Sequence, residues 1–149
     1  NGINIDINPT SIDLFNLLKK KDKNIHAAIS DKTGQKKFYF QHPFSTVNTF
    51  NKLHLEKYAK DYQSYNVKTV KFSDLIESKF DFLNIDCEGD DFKILKTINL
   101  KKYQPKLICL EILENKDKNL VYKYLKKNKY SILCVKKLSH IFKKNNFLI

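Results

Sequence analysis

The stretch from Phe80 to Phe92, FDFLNIDCEGDDF, concentrates carboxylates in a strongly basic chain. The chain has 28 basic residues, all of them lysine, against 16 acidic ones, yet this stretch holds no lysine. Its acidic residues are Asp81, Asp86, Glu88, Asp90 and Asp91. With the strand period of two, Asp86 and Glu88 would point to one side if the strand extends that far. One pKa of such a pair can rise, which would suit removal of a proton from a hydroxyl.

The other acids of the stretch have structural explanations. Asp90 and Asp91 precede a helical pattern, where anions complement the helix dipole, and Asp81 begins the strand in solvent. Further along, Glu111 interrupts the apolar run LICLEIL. A lone carboxylate in a buried strand is unfavourable unless it is paired, so Glu111 is a candidate catalytic residue beside Asp86 and Glu88. The alternative is that Glu111 ends its strand in solvent.

Alternating strands and helices surround these residues. GINIDI, Gly2 to Ile7, predicts a strand, followed by a helix capped by Thr10 and Asp13, and IHAAIS predicts a second strand. FDFLNID and KLICLEIL predict buried strands on either side of the helix DDFKILKTI, which makes a βαβ unit. The sequence therefore predicts an α/β fold with a largely parallel sheet, in which ligands bind at the carboxyl ends of the strands.

The remaining segments predict further elements of the same kind. QKKFYFQ and VKTVKF are predicted strands, with a helix over residues 47–65 between them and a short helix near SDLIES. KNLVYKYLKKN predicts a helix, and YSILCV and the final NNFLI predict closing strands. A chain of 149 residues with no low-complexity linker is expected to form one domain over residues 1–149.

The amino-acid composition limits the classes of partner and location that the chain can be expected to have. The charge of +12 includes no arginine, the residue that best reads phosphate and guanine, so a nucleic-acid partner is not favoured. No apolar run reaches the roughly 20 residues of a membrane span, and no secretory signal is visible, which favours a cytoplasmic location. Cys87, Cys109 and Cys134 are widely spaced and fit reduced thiols, and the scattered histidines predict no metal site.

Four stretches in order resemble the FkbM-type methyltransferases, S-adenosylmethionine-dependent enzymes of the Rossmann-like class I fold. They are GINIDINP, NIHAAISDKTG, VKTVKFSDLIESKFDFLNIDCEGDDFKIL and PKLICLEI. The family's I-D-x-E-G signature stands at Ile85 to Gly89. The resemblance implies helices on both faces of a Rossmann-like sheet, S-adenosylmethionine as cofactor, and O-methylation of a hydroxyl on a small molecule or glycan.

The resemblance also implies cofactor-binding residues after the first two strands. Asp6, in the turn with Asn8, would accept hydrogen bonds from the cofactor's ribose, and the loop from Ala28 through Ser30 to Asp31 would lie against the adenine. In each case an ordinary turn is the alternative. Two other functions stay open: a nucleic-acid methyltransferase, and a nucleotide-binding Rossmann domain without this activity, in which Asp6 would hold NAD.

The chain departs from the class I pattern at its beginning. Its glycines are Gly2, Gly34 and Gly89, so GINIDINP contains no glycine-rich cofactor turn, and the chain has no methionine. GINIDI resembles the family's second strand. We therefore expect an N-terminally truncated domain that lacks the first strand, binds S-adenosylmethionine poorly by itself, and leaves a gap or a non-native pairing between GINIDI and FLNID.

Overall fold

The computed structural model describes residues 1–148. The chain forms two compact units, unit 1 over Asn1–Leu75 and unit 2 from Ile76 onward. Both units combine helices with strands, which confirms the α/β class. The expectation of a single domain over residues 1–149 stays a prediction. Within residues 1–148, no helix is both long and apolar enough to cross a lipid bilayer.

Unit 1 contains five strands of two to eight residues. Its strands are β1 (Ile3–Asp6), β2 (Lys23–His26), β3 (Ala28–Ile29), β4 (Gly34–Phe40) and β5 (Gln63–Val70). Its helices are α1 (Pro9–Leu18), α2 (Lys52–Leu55) and a 3-10 turn at Phe72–Asp74. β1 pairs with β2 in parallel, while β5 lies between β3, which is parallel to it, and β4, which is antiparallel.

The first strand and helix form where the sequence predicts them, but the helix cap is different. Asn8 is the N-cap of α1, and its Oδ1 accepts a hydrogen bond from the Thr10 backbone N–H at 3.0 Å. Pro9 then occupies the first helical turn, where its missing N–H is harmless. The predicted cap at Thr10 and Asp13 is wrong because the N-cap is Asn8, two residues before Thr10.

Two predictions in unit 1 are wrong in extent. IHAAIS does not form one strand, because β2 ends at His26 and pairs with β1, whereas β3 begins at Ala28 and pairs with β5. The helix predicted over 47–65 is reduced to α2, and its last residues belong to β5. Tyr65 there pairs with Phe38 of β4, with ring centroids 5.8 Å apart, so cross-strand aromatic packing outweighs the helical pattern.

Unit 2 contains the predicted βαβ unit followed by a hairpin. Its strands are β6 (Phe82–Ile85), β7 (Leu107–Glu111), β8 (Tyr130–Lys136) and β9 (Ser139–Lys144). Its helices are α3 (Asp91–Thr97), α4 (Leu100–Tyr103) and α5 (Asn115–Lys127). The strands form the C-terminal sheet, in the order β6-β7-β9-β8, with β6 parallel to β7 and the other neighbours antiparallel.

The closing strand lies earlier than predicted. Lys137 has a φ of 56° in the tight turn after β8, which returns the chain so that β9 pairs with both β8 and β7. Residues 145–148 of the predicted strand NNFLI form no strand, and Ile149 lies outside the described residues.

The core of unit 2 lies between the sheet and its helices. Ile108 and Leu110 of β7 are fully buried, as are Leu95 of α3 and Leu125 of α5. The rings of Phe92 in α3 and Tyr124 in α5 lie 5.7 Å apart, so the two helices contact each other. Burial of these apolar side chains fixes the ends of β6 and β7, at which the acidic residues lie.

The strand pairings are mixed where the sequence predicts a largely parallel sheet. Parallel pairs join β1 to β2, β3 to β5 and β6 to β7, and the others among the described residues are antiparallel. β1 and β6 belong to different sheets. The Rossmann-like arrangement and the truncated beginning stay predictions.

Candidate active site

The carboxylates of Asp86 and Glu111 lie side by side because of the register of two parallel strands. Ile85 of β6 is paired with Leu110 of β7, so the residues that follow them occupy equivalent positions at the carboxyl ends of the strands. Neighbouring strands are roughly 4.8 Å apart. The structure thus brings together two carboxylates that are 25 positions apart in the sequence.

Glu88 reaches the same place through a turn rather than through an extended strand. β6 ends at Ile85, so the strand alternation that the sequence analysis considered does not continue to Glu88. Instead Glu88 has a φ of 47° and Gly89 a φ of 101°. One carboxylate oxygen from each of Asp86, Glu88 and Glu111 lies within 4.8 Å of the others. A non-glycine residue at positive φ is uncommon and is often found at functional sites.

Asp91 holds this turn in place. Its carboxylate accepts hydrogen bonds from the backbone N–H of Cys87 at 3.1 Å and of Gly89 at 3.0 Å. The side chain is only 3% exposed, although Asp91 is the first residue of α3. The sequence analysis treats it only as an anion at a helix terminus. Its larger role is to organise the backbone that carries Glu88.

Asp90 is the N-cap residue of α3, but its side chain makes no capping hydrogen bond. It forms an ion pair with Lys93 at 2.8 Å instead. Asp81, at the other end of β6, is exposed and pairs with Lys106 at 3.0 Å. Neither residue belongs to the carboxylate group of Asp86, Glu88 and Glu111.

The three clustered carboxylates perturb one another. Burial, and then the negative charges of Asp86, Glu111 and Asp91, together raise the pKa of Glu88 to about 7. Burial and then the charge of Asp86 also raise the pKa of Glu111. Glu88 is therefore a carboxylate that can accept and release a proton near neutral pH.

Two neighbouring groups respond to the same surroundings. Burial raises the pKa of Asp91 to about 6, against the hydrogen bonds from Cys87 and Gly89 that favour its ionised form. Burial and the surrounding acids raise the pKa of the Cys87 thiol, which keeps it protonated and unreactive as a nucleophile. The chemistry of this turn therefore rests on its carboxylates.

The spacing of Asp86, Glu88 and Glu111 would also allow them to share a metal ion. Acidic side chains commonly lie this close without one. The sequence predicts no metal here, and that stays a prediction. The raised pKa of Glu88 suits acid-base chemistry without any further group.

In unit 1, Asp6 and Asn8 form a tight turn after β1. Asp6 Oδ1 accepts a hydrogen bond from the Asn8 backbone N–H at 2.8 Å, and Oδ2 accepts none from residues 1–148. Both ends of the Asn8 amide are engaged, since Oδ1 caps α1 and Nδ2 donates to the Pro43 carbonyl at 2.5 Å. His26 Nε2 lies 2.8 Å from the Ile7 carbonyl oxygen, a contact that the sequence analysis did not foresee.

The second predicted cofactor-binding segment runs from Ala28 to Asp31. Ala28 and Ser30 are buried, and the Ser30 hydroxyl donates to Asp31 Oδ1 at 3.1 Å. The Ala27 backbone N–H donates to the Asp6 carbonyl at 3.0 Å, so the segment runs beside the end of β1. Asp31 Oδ2 accepts no hydrogen bond from the described residues and is half-buried. Asp6 and Asp31 therefore each keep one carboxylate oxygen that can bind a ligand.

Comparison with known proteins gives a match to one family. The model of the Methyltransferase FkbM domain matches residues 1–132. Neither the curated proteins nor the solved structures contain a match to the chain. The family match includes β1, β6 and β7 and both groups of acidic residues described above. The chain belongs to the FkbM methyltransferase domain family.

Proposed function

We propose that this protein is an S-adenosylmethionine-dependent methyltransferase that methylates a hydroxyl group of a small molecule or glycan. The observation that carries the proposal is the convergence of Asp86, Glu88 and Glu111 within 4.8 Å, in a chain of the FkbM family. Methyl transfer to a hydroxyl requires a group that removes the hydroxyl proton, and a carboxylate with a pKa near 7 serves this purpose at neutral pH.

Glu88 is the general base of this proposal. S-adenosylmethionine, when bound, supplies a methyl group activated by a positively charged sulfur. The acceptor hydroxyl would take up that methyl group, and the Glu88 carboxylate would accept the proton that the hydroxyl loses. Asp86 and Glu111 supply negative charge that raises the pKa of Glu88 and favours a nearby cationic centre.

The residues of unit 1 divide into binding and supporting roles. Asp6 Oδ2 fits a ribose hydroxyl and Asp31 Oδ2 fits the exocyclic amine of adenine, because each oxygen lacks a hydrogen bond from the described residues. Asn8, Ala28 and Ser30 hold the two turns through capping and burial. Of the five predicted cofactor-binding residues, Asp6 and Asp31 therefore offer side-chain acceptors to the cofactor, and the other three support the turns.

The activity can be tested in the natural full-length protein with S-adenosylmethionine that carries a tritiated methyl group. Acceptors would be a panel of hydroxylated small molecules and glycans, with RNA and DNA as separate arms. We expect label in a methyl ether of one hydroxyl acceptor, together with S-adenosylhomocysteine. Transfer to nucleic acid alone would contradict the proposed acceptor class, and cofactor binding without transfer to any hydroxyl acceptor would contradict the activity.

The variant Asp86→Asn tests whether Asp86 takes part in methyl transfer or in cofactor binding. We expect it to lower turnover much more than cofactor affinity, because Asp86 acts on the transferring step. Equal losses in both would assign Asp86 to cofactor binding or to structure.

A further inference from the structure

A pocket lies at the end of the C-terminal sheet opposite to the clustered carboxylates. It is formed by the segments before β6 and β7 and after β9, and its volume is about 440 Å³. Ligand sites of proteins usually have volumes of about 300 to 1,000 Å³. Because β7 rises about 3.3 Å per residue, this pocket lies roughly 13 Å from the Glu111 end of the strand.

The polar wall of the pocket is positively charged. Lys79, Lys106 and Lys144 line it together with Asp81, so three positive charges and one negative charge leave a formal charge of +2. Lys106 forms the ion pair with Asp81 at 3.0 Å. The pocket thus retains an excess of positive charge after its internal ion pair is formed.

The other lysines differ in how firmly they are held. Lys144 Nζ donates a hydrogen bond to Gln104 Oε1 at 2.6 Å, which holds the ammonium group at the pocket while leaving its charge uncompensated. Lys79 makes no hydrogen bond or ion pair with residues 1–148. An anion in the pocket would meet one ammonium group held in position and one that can move toward it.

The apolar wall is aromatic. The rings of Phe80 and Tyr103 are stacked, with centroids 5.3 Å apart and an interplanar angle of 26°. The Tyr103 hydroxyl donates a hydrogen bond to the Ile76 carbonyl at 2.6 Å, which holds the Tyr103 ring in position. Phe147 lies on the other side, and its ring is 5.7 Å from the Lys106 ammonium. Aromatic rings in these positions offer surfaces for a planar group.

We propose that this pocket binds a small anion that carries an aromatic ring. The ring would pack against Phe147 and Phe80, and the phosphate or carboxylate would lie among Lys79, Lys106 and Lys144. A solvated lysine surface would account for the charge but not for the concave shape or the aromatic wall. The proposal does not depend on the proposed methyltransferase activity, since all its residues lie outside the carboxylate group.

Phenyl phosphate is the smallest probe with both features, and it lacks the adenine and ribose that the cofactor residues would bind. Calorimetric titration of the full chain should give one phenyl phosphate per chain, with affinity that falls as salt is added. Inorganic phosphate and phenol should each bind at least about tenfold more weakly, because each has only half of the contacts. Benzoate is the arm that separates carboxylate from phosphate ligands, and binding of either aromatic anion supports the site.

Single variants locate the binding. Lys79→Gln and Phe147→Leu should each weaken phenyl phosphate binding about 3- to 10-fold, as expected for partly exposed contacts. Lys123→Gln, at an exposed lysine of α5, is the matched control and should leave binding unchanged. Far-UV circular dichroism and urea midpoints verify that each variant is folded. The proposal would be overturned if phenyl phosphate did not bind at millimolar concentration, or if inorganic phosphate bound equally well. Equal affinity for phenyl phosphate in Lys79→Gln and Lys123→Gln would also overturn it.

Discussion

Two turns of this protein follow parallel strands and carry acidic side chains, but their carboxylates have different surroundings. After β1, Asp6 accepts a hydrogen bond from the Asn8 backbone N–H, and within residues 1–148 no second carboxylate forms a hydrogen bond in this turn. After β6, the carboxylates of Asp86 and Glu88 lie close to that of Glu111 in β7. Asp91 accepts hydrogen bonds from two backbone N–H groups of this turn. The position of an acid after a strand is therefore shared, and its neighbours decide what it can do.

The electrostatic consequence separates the two turns. In the turn after β6, burial and like charges raise the pKa of Glu88 to about 7, so the group can exchange protons at neutral pH. Among the described residues Asp6 does not belong to such a group of carboxylates, and its Oδ2 suits a hydrogen bond to a neutral hydroxyl. The proposed function therefore places proton transfer in the turn after β6 and cofactor binding in the turn after β1.

The largest expected effect is the loss of turnover in Glu88→Gln, which removes the proposed base and nearly preserves its shape. General-base catalysis contributes about 10²- to 10⁴-fold, and kcat in the natural full-length protein should fall by that factor with little change in cofactor affinity. Steady-state kinetics and calorimetry with S-adenosylhomocysteine give the two quantities. Glu77→Gln, at an exposed acid of unit 2, is the control, and a Glu88→Gln enzyme with near-normal kcat would remove Glu88 from the chemistry.

A smaller effect is expected on stability when the support of the same turn is removed. Asp91→Ala leaves the backbone N–H groups of Cys87 and Gly89 without their acceptor, which should lower the free energy of unfolding by about 2 to 3 kcal/mol. Urea denaturation measures this loss. Asp81→Ala, which removes an exposed ion pair at the start of β6, should change the free energy of unfolding by less than about 1 kcal/mol. Equal effects of the two variants would show that Asp91 does not support the turn.

The turn after β1 should respond in binding rather than in catalysis. Asp6→Ala removes the proposed ribose acceptor and should weaken cofactor binding by about 1 to 3 kcal/mol, with a smaller change in kcat at saturating cofactor. Asp13→Ala, at an exposed acid of α1, is the matched control. Unchanged cofactor affinity in Asp6→Ala would reduce Asp6 to a turn residue and would end the contrast between the two turns.

Local patterns predicted much of the fold, including β1, α1 and the βαβ unit from β6 to β7. Each of these elements has a clear apolar period, although the N-cap of α1 is Asn8 and not the predicted Thr10. The predicted helix over 47–65 failed because Tyr65 joins β5 and packs on Phe38, a contact between distant residues that no local window contains. The closing strand was misplaced because the turn at Lys137 carries no glycine or proline signal.

The sequence also predicted the clustered carboxylates as candidate catalytic residues, but the predicted geometry was only part of the explanation. A strand period predicts that Asp86 and Glu88 point together, whereas the structure joins them through a turn with positive φ at Glu88 and Gly89. That turn depends on Asp91, whose two backbone hydrogen bonds cannot be inferred from a helix-terminus pattern. The partnership with Glu111 depends on the register of β6 with β7, which requires the sheet itself.

The pH dependence of kcat/KM for methyl transfer tests the central claim most directly. If Glu88 acts as the base, the rate should rise with pH through an apparent pKa of about 7, because only the ionised carboxylate accepts the proton. In Glu111→Gln, loss of a neighbouring negative charge should move this rise to lower pH. A profile that is flat between pH 5 and 9, or a rise that stays in place in Glu111→Gln, would contradict proton transfer by the clustered carboxylates.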